Sequence, residues 1–152
     1  LGSHVKQKGS MVNPNHLRFD FSHTSKLSND ELSEVETFVN ELIDKSIDLN
    51  EQKDVPYKDA IDNGACSLFS EKYGDRVRII TFGHSMYLCG GTHANNTSDL
   101  WYFKIISESS VASGIRRIEA ITGDKVKTYF KSQEKVLHDL NKKLKYPKDF
   151  NS

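Results

Sequence analysis

Apolar and polar residues alternate along several short stretches of this chain, and an alternation with a period of two predicts β-strands. In the clearest case, Leu17, Phe19 and Phe21 share one face, and Arg18 and Asp20 occupy the other. This pattern is typical of an antiparallel sheet that packs one side on a core and exposes the other to water.

Other stretches also have strand character and are separated by turn residues. They are residues 3–8 and 9–13, divided by a turn at Gly9-Ser10, and then residues 50–55, 76–82, 100–107 and 115–122. Asn13-Pro14-Asn15 predicts a further turn. Residues 100–107 are apolar on both faces, so we predict that this strand lies centrally in its sheet.

The first predicted helix follows Ser28. Ser28 and Glu31 have the spacing of a capping box, in which each residue satisfies a backbone N–H of the other. An apolar stripe of helical period follows and should pack on the sheet. Its members are Leu32, Val35, Phe38, Val39, Leu42 and Ile43.

Two more helices complete the prediction. Pro56 can open a short helix at Tyr57 that stops at Gly64, and Asp124 can cap a last helix that ends at Pro147. The last helix carries an apolar stripe of Val126, Tyr129, Phe130, Leu137, Leu140 and Leu144. Together the elements predict an α+β fold: a mostly antiparallel sheet of about six strands with helices packed on it.

The bulk composition describes a single domain with a large polar surface. The chain has 152 residues, a hydrophobic content of 36% and a negative mean hydropathy. No apolar run approaches the roughly 20 residues that span a bilayer, and no signal peptide is visible. Two cysteines are too few for a disulfide framework, which favours a reducing cytoplasm. We therefore predict one domain over residues 1–152, with no membrane contact.

Charge is balanced overall but unevenly distributed. A net charge of zero excludes a bulk polycation, so any nucleic-acid binding must be local. Residues 29–62 are rich in acids and residues 123–149 in lysines. Two solvated helix faces explain this pattern, and a phosphate-facing lysine-rich end is the alternative. Similarly, Arg116 and Arg117 could hold phosphate, or Arg117 could form a cross-strand ion pair with Glu119.

The most distinctive chemistry lies in the stretch Cys89-Gly90-Gly91-Thr92-His93. Paired glycines disfavour a helix, so we predict a tight loop that bends the Cys89 and His93 side chains toward one point. A thiolate and an imidazole suit Zn²⁺, which binds sulfur at about 2.3 Å and nitrogen at about 2.0–2.1 Å. From this spacing alone, a glycine turn beside a buried thiol is the simpler interpretation.

Spacing does not identify a third zinc ligand. The candidates are His4, His16, His23, His84, His138 and Cys66. No Gly-x-Ser-x-Gly elbow supports Ser-His-Asp catalysis, and the paired glycines lack the Lys-Ser/Thr ending of a phosphate loop. From the residues alone, the chain offers half of a zinc site.

Several blocks of residues resemble, in combination, the editing domain of bacterial alanyl-tRNA synthetases. Besides the Cys-Gly-Gly-Thr-His stretch, they are Gln7-Lys8-Gly9-Ser10, Leu17-Arg18-Phe19-Asp20-Phe21-Ser22-His23, Glu71-Lys72-Tyr73-Gly74, Phe103-Lys104-Ile105-Ile106-Ser107-Glu108 and Gly114-Ile115-Arg116-Arg117-Ile118-Glu119-Ala120-Ile121-Thr122-Gly123. The blocks follow the family's order and cover almost the whole chain. Free-standing editing proteins share the Cys-Gly-Gly-Thr-His stretch, but the Phe-Asp-Phe-Ser-His block at 19–23 and the Arg-Arg-Ile-Glu-Ala block at 116–120 are more similar to the full synthetase.

The resemblance implies hydrolysis of the ester that joins serine or glycine wrongly to tRNA(Ala). It also implies the fold of the second additional domain of threonyl- and alanyl-tRNA synthetases. Gln7 would line the editing pocket and Thr92 would place its hydroxyl against the serine hydroxyl, so we expect both to be catalytic. Gly91 and Arg117 would contact the substrate, with Arg117 facing the tRNA 3′ end.

The same resemblance implies a zinc cofactor, with Cys89 and His93 as two of its ligands. The family carries the other two as a His-x₃-His pair on a preceding helix, and this sequence contains no such pair. We therefore expect a domain truncated at its N-terminus, with Leu1 as a native residue. By itself it should hold little or no zinc and have little activity.

The implied partners are the 3′ end of tRNA(Ala) and the remainder of the synthetase in the same polypeptide, in the cytoplasm and without DNA. The parent would be an ATP-using aminoacyl-tRNA ligase and this domain its zinc-dependent deacylase. The alternatives are a non-catalytic tRNA-binding or structural piece, and a relative of free-standing editing proteins. Hydrolysis of seryl-tRNA(Ala) by the full-length protein would separate these functions.

Overall fold

A computed structural model describes residues 1–67 and 73–144, and within them seven strands and three α-helices are formed. The strands are β1 (Gln7–Val12), β2 (Leu17–Ser22), β3 (Asn50–Pro56), β4 (Arg76–Phe82), β5 (Ser85–Leu88), β6 (Phe103–Ala112) and β7 (Ile115–Thr122). The helices are α1 (Asn29–Asp44), α2 (Tyr57–Asp62) and α3 (Asp124–Leu144). In the described ranges, no helix combines the length and apolar character that a membrane span requires.

The strands form two antiparallel sheets. One has four strands in the order β1-β2-β7-β6, and the other has three in the order β3-β4-β5. Neighbouring strands are antiparallel in every pair. The predicted α+β fold with mostly antiparallel strands is confirmed, and its strands are divided between two sheets.

Each sheet buries one apolar face. The core of the four-stranded sheet consists of Phe21, Leu27, Ile43, Phe103, Ile105, Ile118 and Ala120, with α1 packed on it. The core of the three-stranded sheet consists of Ala60, Ala65, Val77, Ile79 and Leu88, with α2 contributing Ala60. Because side chains alternate along β4, Arg78 and Ile80 project from the opposite face of this second sheet.

Helix α1 begins with the predicted capping box. The Glu31 amide donates to the Ser28 hydroxyl at 3.2 Å, and the Ser28 amide donates to the Glu31 carboxylate at 2.8 Å. Most of the predicted stripe packs on the core, including Val35 and Val39. Phe38 does not, since 62% of its surface is exposed. It lies about 100° around the helix from Val39, at the margin of the stripe.

The prediction that residues 100–107 form a central strand is wrong, because β6 begins at Phe103 and is an edge strand. Side chains of α1 take the place of a neighbouring strand. The Asn40 amide accepts from the Phe103 N–H at 2.8 Å and donates to the Phe103 carbonyl at 2.9 Å. The Glu36 carboxylate accepts from the Ile105 N–H at 2.6 Å. The apolar character on both faces of this strand does not reflect a second neighbouring strand.

Replacing Asn40 with alanine is expected to reduce the free energy of unfolding by about 1–3 kcal/mol, because it leaves a part-buried N–H and carbonyl of Phe103 without partners. Urea unfolding followed by circular dichroism measures this change. Glu41→Ala, at an exposed position of the same helix, is the control and should change stability by less than about 0.5 kcal/mol. Equal losses in both variants would contradict the proposed role of Asn40.

Two turn predictions had different outcomes. Gly9-Ser10 is not a turn, because β1 runs through it and the register with β2 shifts between Gln7 and Gly9, which is a β-bulge. The turn at Asn13 is confirmed: its side-chain oxygen accepts from the Asn15 and His16 amides at 2.8 and 3.0 Å. Strand β5 was not predicted, because its four residues are too few to establish a period.

The last helix is formed as predicted, but Asp124 is its first residue and not its cap, and the Asp124 carboxylate accepts from Lys127 Nζ at 2.9 Å. Val126 is its one buried residue within the described range, and the later members of its stripe, such as Leu137 at 61%, are exposed. The predicted stop at Pro147 lies outside the described residues, as do Glu71 and Lys72 of the resembling blocks.

Candidate functional site

The Cys89-Gly90-Gly91-Thr92-His93 stretch forms a loop directly after β5, as predicted. The Cys89 amide donates to the Arg78 carbonyl at 3.2 Å, which extends the β4–β5 pairing by one step. The Arg78 side chain donates from Nη1 to the carbonyl oxygens of Cys89, at 3.2 Å, and of Gly91. Its Nε donates to the Glu51 carboxylate on β3. The guanidinium thus joins the loop to two strands.

An open cavity of about 760 Å³ is lined by residues from both sheets and from the segments next to them. On one side it is lined by Val5, Lys6, Gln7 and Phe19, and on the other by Cys66, Ser67, Ile80, Phe82, Tyr87, Cys89 and His93. Within the second group, Ile80 and Phe82 lie on the face of β4 opposite Val77 and Ile79, which belong to the core that α2 joins. Three of the residues that the sequence singled out, Gln7, Cys89 and His93, therefore meet in one cavity.

Of the six candidates for a third zinc ligand, Cys66 is the one that lines this cavity. It forms an isolated parallel bridge with Tyr87, next to the loop. His4 and His23 instead contact each other, with 2.8 Å between Nε2 and Nδ1. Across residues 1–67 and 73–144, no cluster of three or more His, Cys, Asp or Glu side chains could hold a metal. The donor types of Cys89 and His93 fit zinc, but a catalytic site has three protein ligands, so the described residues do not complete one.

The other predicted site residues lie outside the cavity lining. Gly91 and Thr92 are exposed in the loop. Arg117 donates to the two carboxylate oxygens of Asp20 at 2.6 and 2.8 Å. Asp20 alternates with Phe19 along β2, so this pair lies on the face of its sheet opposite the cavity lining. Substrate contact by these three residues stays a prediction.

The sequence left two alternatives for Arg116 and Arg117, a phosphate-binding fork or an ion pair of Arg117 with Glu119. Arg116 donates to Glu108 at 2.5 Å and Arg117 to Asp20, so their side chains are on opposite faces of β7 and do not form a phosphate fork. A cross-strand ion pair is present, but with a different partner from the one predicted. Glu119 accepts from the Ser107 hydroxyl at 2.7 Å.

The His93 imidazole is biased toward its neutral form. Its pKa is lowered from the ordinary value of 6.5, first because desolvation disfavours the imidazolium and second because the Arg78 guanidinium repels it; the Glu51 carboxylate acts in the opposite direction. A neutral imidazole is the form that binds metals.

We therefore expect an NMR titration of the His93 ring to give a pKa below 6.5. Because the unfolded chain binds this proton more readily, the contribution of His93 to stability is complete above pH 6.5 and is lost as the pH falls toward the folded-state pKa. His93→Gln should flatten that part of the stability–pH curve. An unchanged slope in the variant would contradict this assignment.

Sequence reasoning missed Arg78 and Glu51. Their contact depends on the register of β3 against β4, which pairs Glu51 with Ile80. The available signal was an arginine at alternate positions of a predicted strand, Arg76 and Arg78, on an otherwise apolar segment. That signal indicates a charged face but does not identify which backbone the arginines contact.

Comparison with known proteins defines the class of domain first. Residues 77–119 match a family model described as the threonyl and alanyl tRNA synthetase second additional domain. The matched range begins in β4, contains the whole Cys-Gly-Gly-Thr-His loop and ends in β7. The α+β fold of this chain fits that domain.

The similar proteins among the curated relatives are alanine–tRNA ligases. The chain is 56% identical over 149 residues to an alanine–tRNA ligase of Flavobacterium psychrophilum and 57% identical over 149 residues to one of Christiangramia forsetii. It is 52% identical over 151 residues to one of Cytophaga hutchinsonii. Each comparison covers 98% of this chain and 17% of the relative, so the chain spans about one sixth of the length of the curated relatives it matches. It is homologous to that region of alanine–tRNA ligases.

Proposed function

We propose that this chain is the editing segment of an alanine–tRNA ligase, where it hydrolyses the ester bond of seryl-tRNA(Ala) and glycyl-tRNA(Ala). The observation that carries the proposal is the cavity that Gln7 of the four-stranded sheet lines together with Cys89 and His93 of the loop after β5. The similarity to alanine–tRNA ligases supplies the substrate class. The substrate partner is the 3′ end of tRNA(Ala), and the cellular location is the cytoplasm.

The chemistry of the ligase explains why a second site is needed. A synthetic pocket shaped for alanine cannot exclude glycine by size, and it rejects a single added hydroxyl poorly. The synthetic pocket alone therefore cannot distinguish alanine from glycine and serine as well as accurate translation requires. Hydrolysis of the mischarged tRNA at a second site removes the remaining errors.

We propose zinc as the cofactor, bound by Cys89 and His93 with the remaining ligands from outside this sequence. A bound zinc ion would supply positive charge to hold the substrate's amino group and to polarise water. The lowered pKa of His93 supports this role, since it increases the share of neutral imidazole, the form that binds metals, at a given pH. By the same proposal, the isolated chain holds zinc weakly.

The chain's own polar groups would orient the substrate. Gln7 lines the cavity, and its side-chain amide donates to the Ser10 hydroxyl at 3.1 Å. We propose that Gln7 positions the ester or the attacking water. In the loop, the Thr92 hydroxyl would bind the serine hydroxyl and Gly91 would allow close approach of the substrate. Arg117 would face the tRNA end.

The test is a deacylation assay with the full-length ligase that contains this segment. Seryl-tRNA(Ala) and glycyl-tRNA(Ala) should lose their amino acid much faster than in buffer, while alanyl-tRNA(Ala) is spared. Seryl-tRNA(Ala) that stays intact would overturn the proposal. Binding of the tRNA without hydrolysis would instead favour the second candidate, a non-catalytic tRNA-binding segment.

A further inference from the structure

We propose that Arg78 is the positioning residue of the site: its guanidinium, held by Glu51, fixes the loop that carries Cys89 and His93. This inference rests on the proposed function for its catalytic consequence, but its structural part can be tested separately. The sequence pattern assigns Arg78 no role, and the residue does not line the cavity that Cys89 and His93 share.

The loop depends on Arg78 because it has few contacts of its own. In the part of the chain that the structure describes, residues 89–93 make three hydrogen bonds, and Arg78 is the partner in each. One uses the Arg78 backbone carbonyl and two use its side chain. A Cβ atom placed on Gly90 would have no neighbour within 4 Å, so packing does not restrain the loop there. Two consecutive glycines also have the widest choice of backbone conformations.

The two side-chain bonds determine the course of the loop. The carbonyls of Cys89 and Gly91 both point at the same Nη1 atom, so the backbone between them must bend around it. In a trans peptide the N–H points opposite to the carbonyl, so the Gly90 and Thr92 amides point away from the guanidinium. This bend sets the directions in which the Cys89 and His93 side chains leave the loop.

Glu51 fixes the guanidinium itself. Its carboxylate accepts from Arg78 Nε, and the side chains of the pair are only 26% and 27% exposed. Nε and Nη1 lie in one rigid plane, so binding of Nε to β3 also fixes the direction of Nη1 toward the loop. A flexible ammonium group has no such plane. The pair therefore transfers the rigidity of the sheet to residues that would otherwise move freely.

The chain offers a matched control on the same strand. Arg76 precedes Arg78 by two residues, projects from the same face and also donates to a carboxylate, that of Asp54. Among the described residues, its side chain donates to Asp54 alone and does not reach the loop. Arg76→Gln removes an equal charge and an arginine–carboxylate pair, although a more exposed one, while leaving the loop contacts in place.

The first measurement is ¹⁵N relaxation of the Gly90–His93 amides in the metal-free 152-residue chain. Wild type and Arg76→Gln should give order parameters near 0.85, and Arg78→Gln should give values below about 0.6. Arg78→Lys should resemble Arg78→Gln, because it keeps the charge but loses the planar fork. A rigid loop in Arg78→Gln, or full order in Arg78→Lys, would overturn the proposal. If Arg78→Gln does not fold, Glu51→Gln serves instead and should loosen the same amides.

The second measurement is deacylation of seryl-tRNA(Ala) by the full-length ligase. Arg78→Gln should lower kcat/KM at least about tenfold, since small misplacements of catalytic groups reduce rates strongly, whereas Arg76→Gln should not. If both arginine variants deacylate like wild type, the positioning role is wrong. If wild type itself does not deacylate, the proposed function fails while the relaxation data still decide whether Arg78 orders the loop.

Discussion

Cys89→Ala in the full-length ligase is expected to lower the rate of seryl-tRNA(Ala) deacylation by at least about 100-fold. The physical reason is that the Cys89 thiol lines the cavity together with His93, and we propose these two groups as the zinc ligands. Loss of a group that merely supports a metal ligand already costs 10–100-fold in affinity or activity, so loss of a ligand should cost at least the upper figure. Single-turnover hydrolysis of labelled seryl-tRNA(Ala) measures the change, and aminoacylation with alanine should be unaffected.

Cys66→Ala is the matched control for this experiment. Cys66 is the other cysteine of the chain and lines the same cavity, but no catalytic role is assigned to it. Its removal should change the rate by no more than about threefold, which corresponds to about 0.7 kcal/mol. If Cys66→Ala were as inactive as Cys89→Ala, the reaction would require both cysteines, and the assignment of the role to Cys89 alone would be wrong.

Phe21→Ala is expected to reduce the free energy of unfolding by about 3–5 kcal/mol, the usual cost of removing a buried phenylalanine ring. Phe21 is 1% exposed and is among the largest fully buried side chains of the described residues. It lies on β2, a central strand of the four-stranded sheet, and belongs to the core on which α1 packs. Such a loss is a large fraction of the 5–15 kcal/mol by which folded domains are typically stable. Chemical denaturation or calorimetry measures it.

Phe38→Ala provides the corresponding control. It removes the same ring from a helix position that is 62% exposed, and it should change stability by less than about 0.5 kcal/mol. A large loss in Phe38→Ala would mean that this residue is covered in solution. A small loss in Phe21→Ala would contradict the burial of this ring between α1 and the four-stranded sheet.

The elements of the fold could be predicted where their signals are local. The capping box at Ser28 and the alternation in β2 depend on residues a few positions apart, and both predictions are confirmed. The position of β6 could not be predicted, because its neighbour on one side is α1 and the contact joins Asn40 to a strand 63 residues later. The wrong turn prediction at Gly9-Ser10 has the same cause: the β-bulge next to Gly9 depends on the pairing of β1 with β2, which local sequence does not show.

In the candidate site, too, local features could be predicted from the sequence and long-range contacts could not. Cys89 and His93 are four residues apart, so their spacing alone could suggest a shared role. Gln7 was added through resemblance, and its presence in the same cavity depends on how the two sheets pack. The contact between Arg117 and Asp20 spans 97 residues, and that between Arg78 and Glu51 spans 27. Such pairs follow from strand register, which the hydrophobic pattern of a single strand does not determine.

The side chains of α1 along β6 also affect how separate molecules can meet. A sheet edge normally presents unpaired N–H and carbonyl groups, and these can template the addition of a strand from another chain. In this domain the N–H groups of Phe103 and Ile105 already have partners in Asn40 and Glu36. An incoming strand would have to displace a helix before it could pair at these positions. The hydrogen bonds that stabilise this domain therefore also protect this part of β6 from intermolecular β-sheet formation.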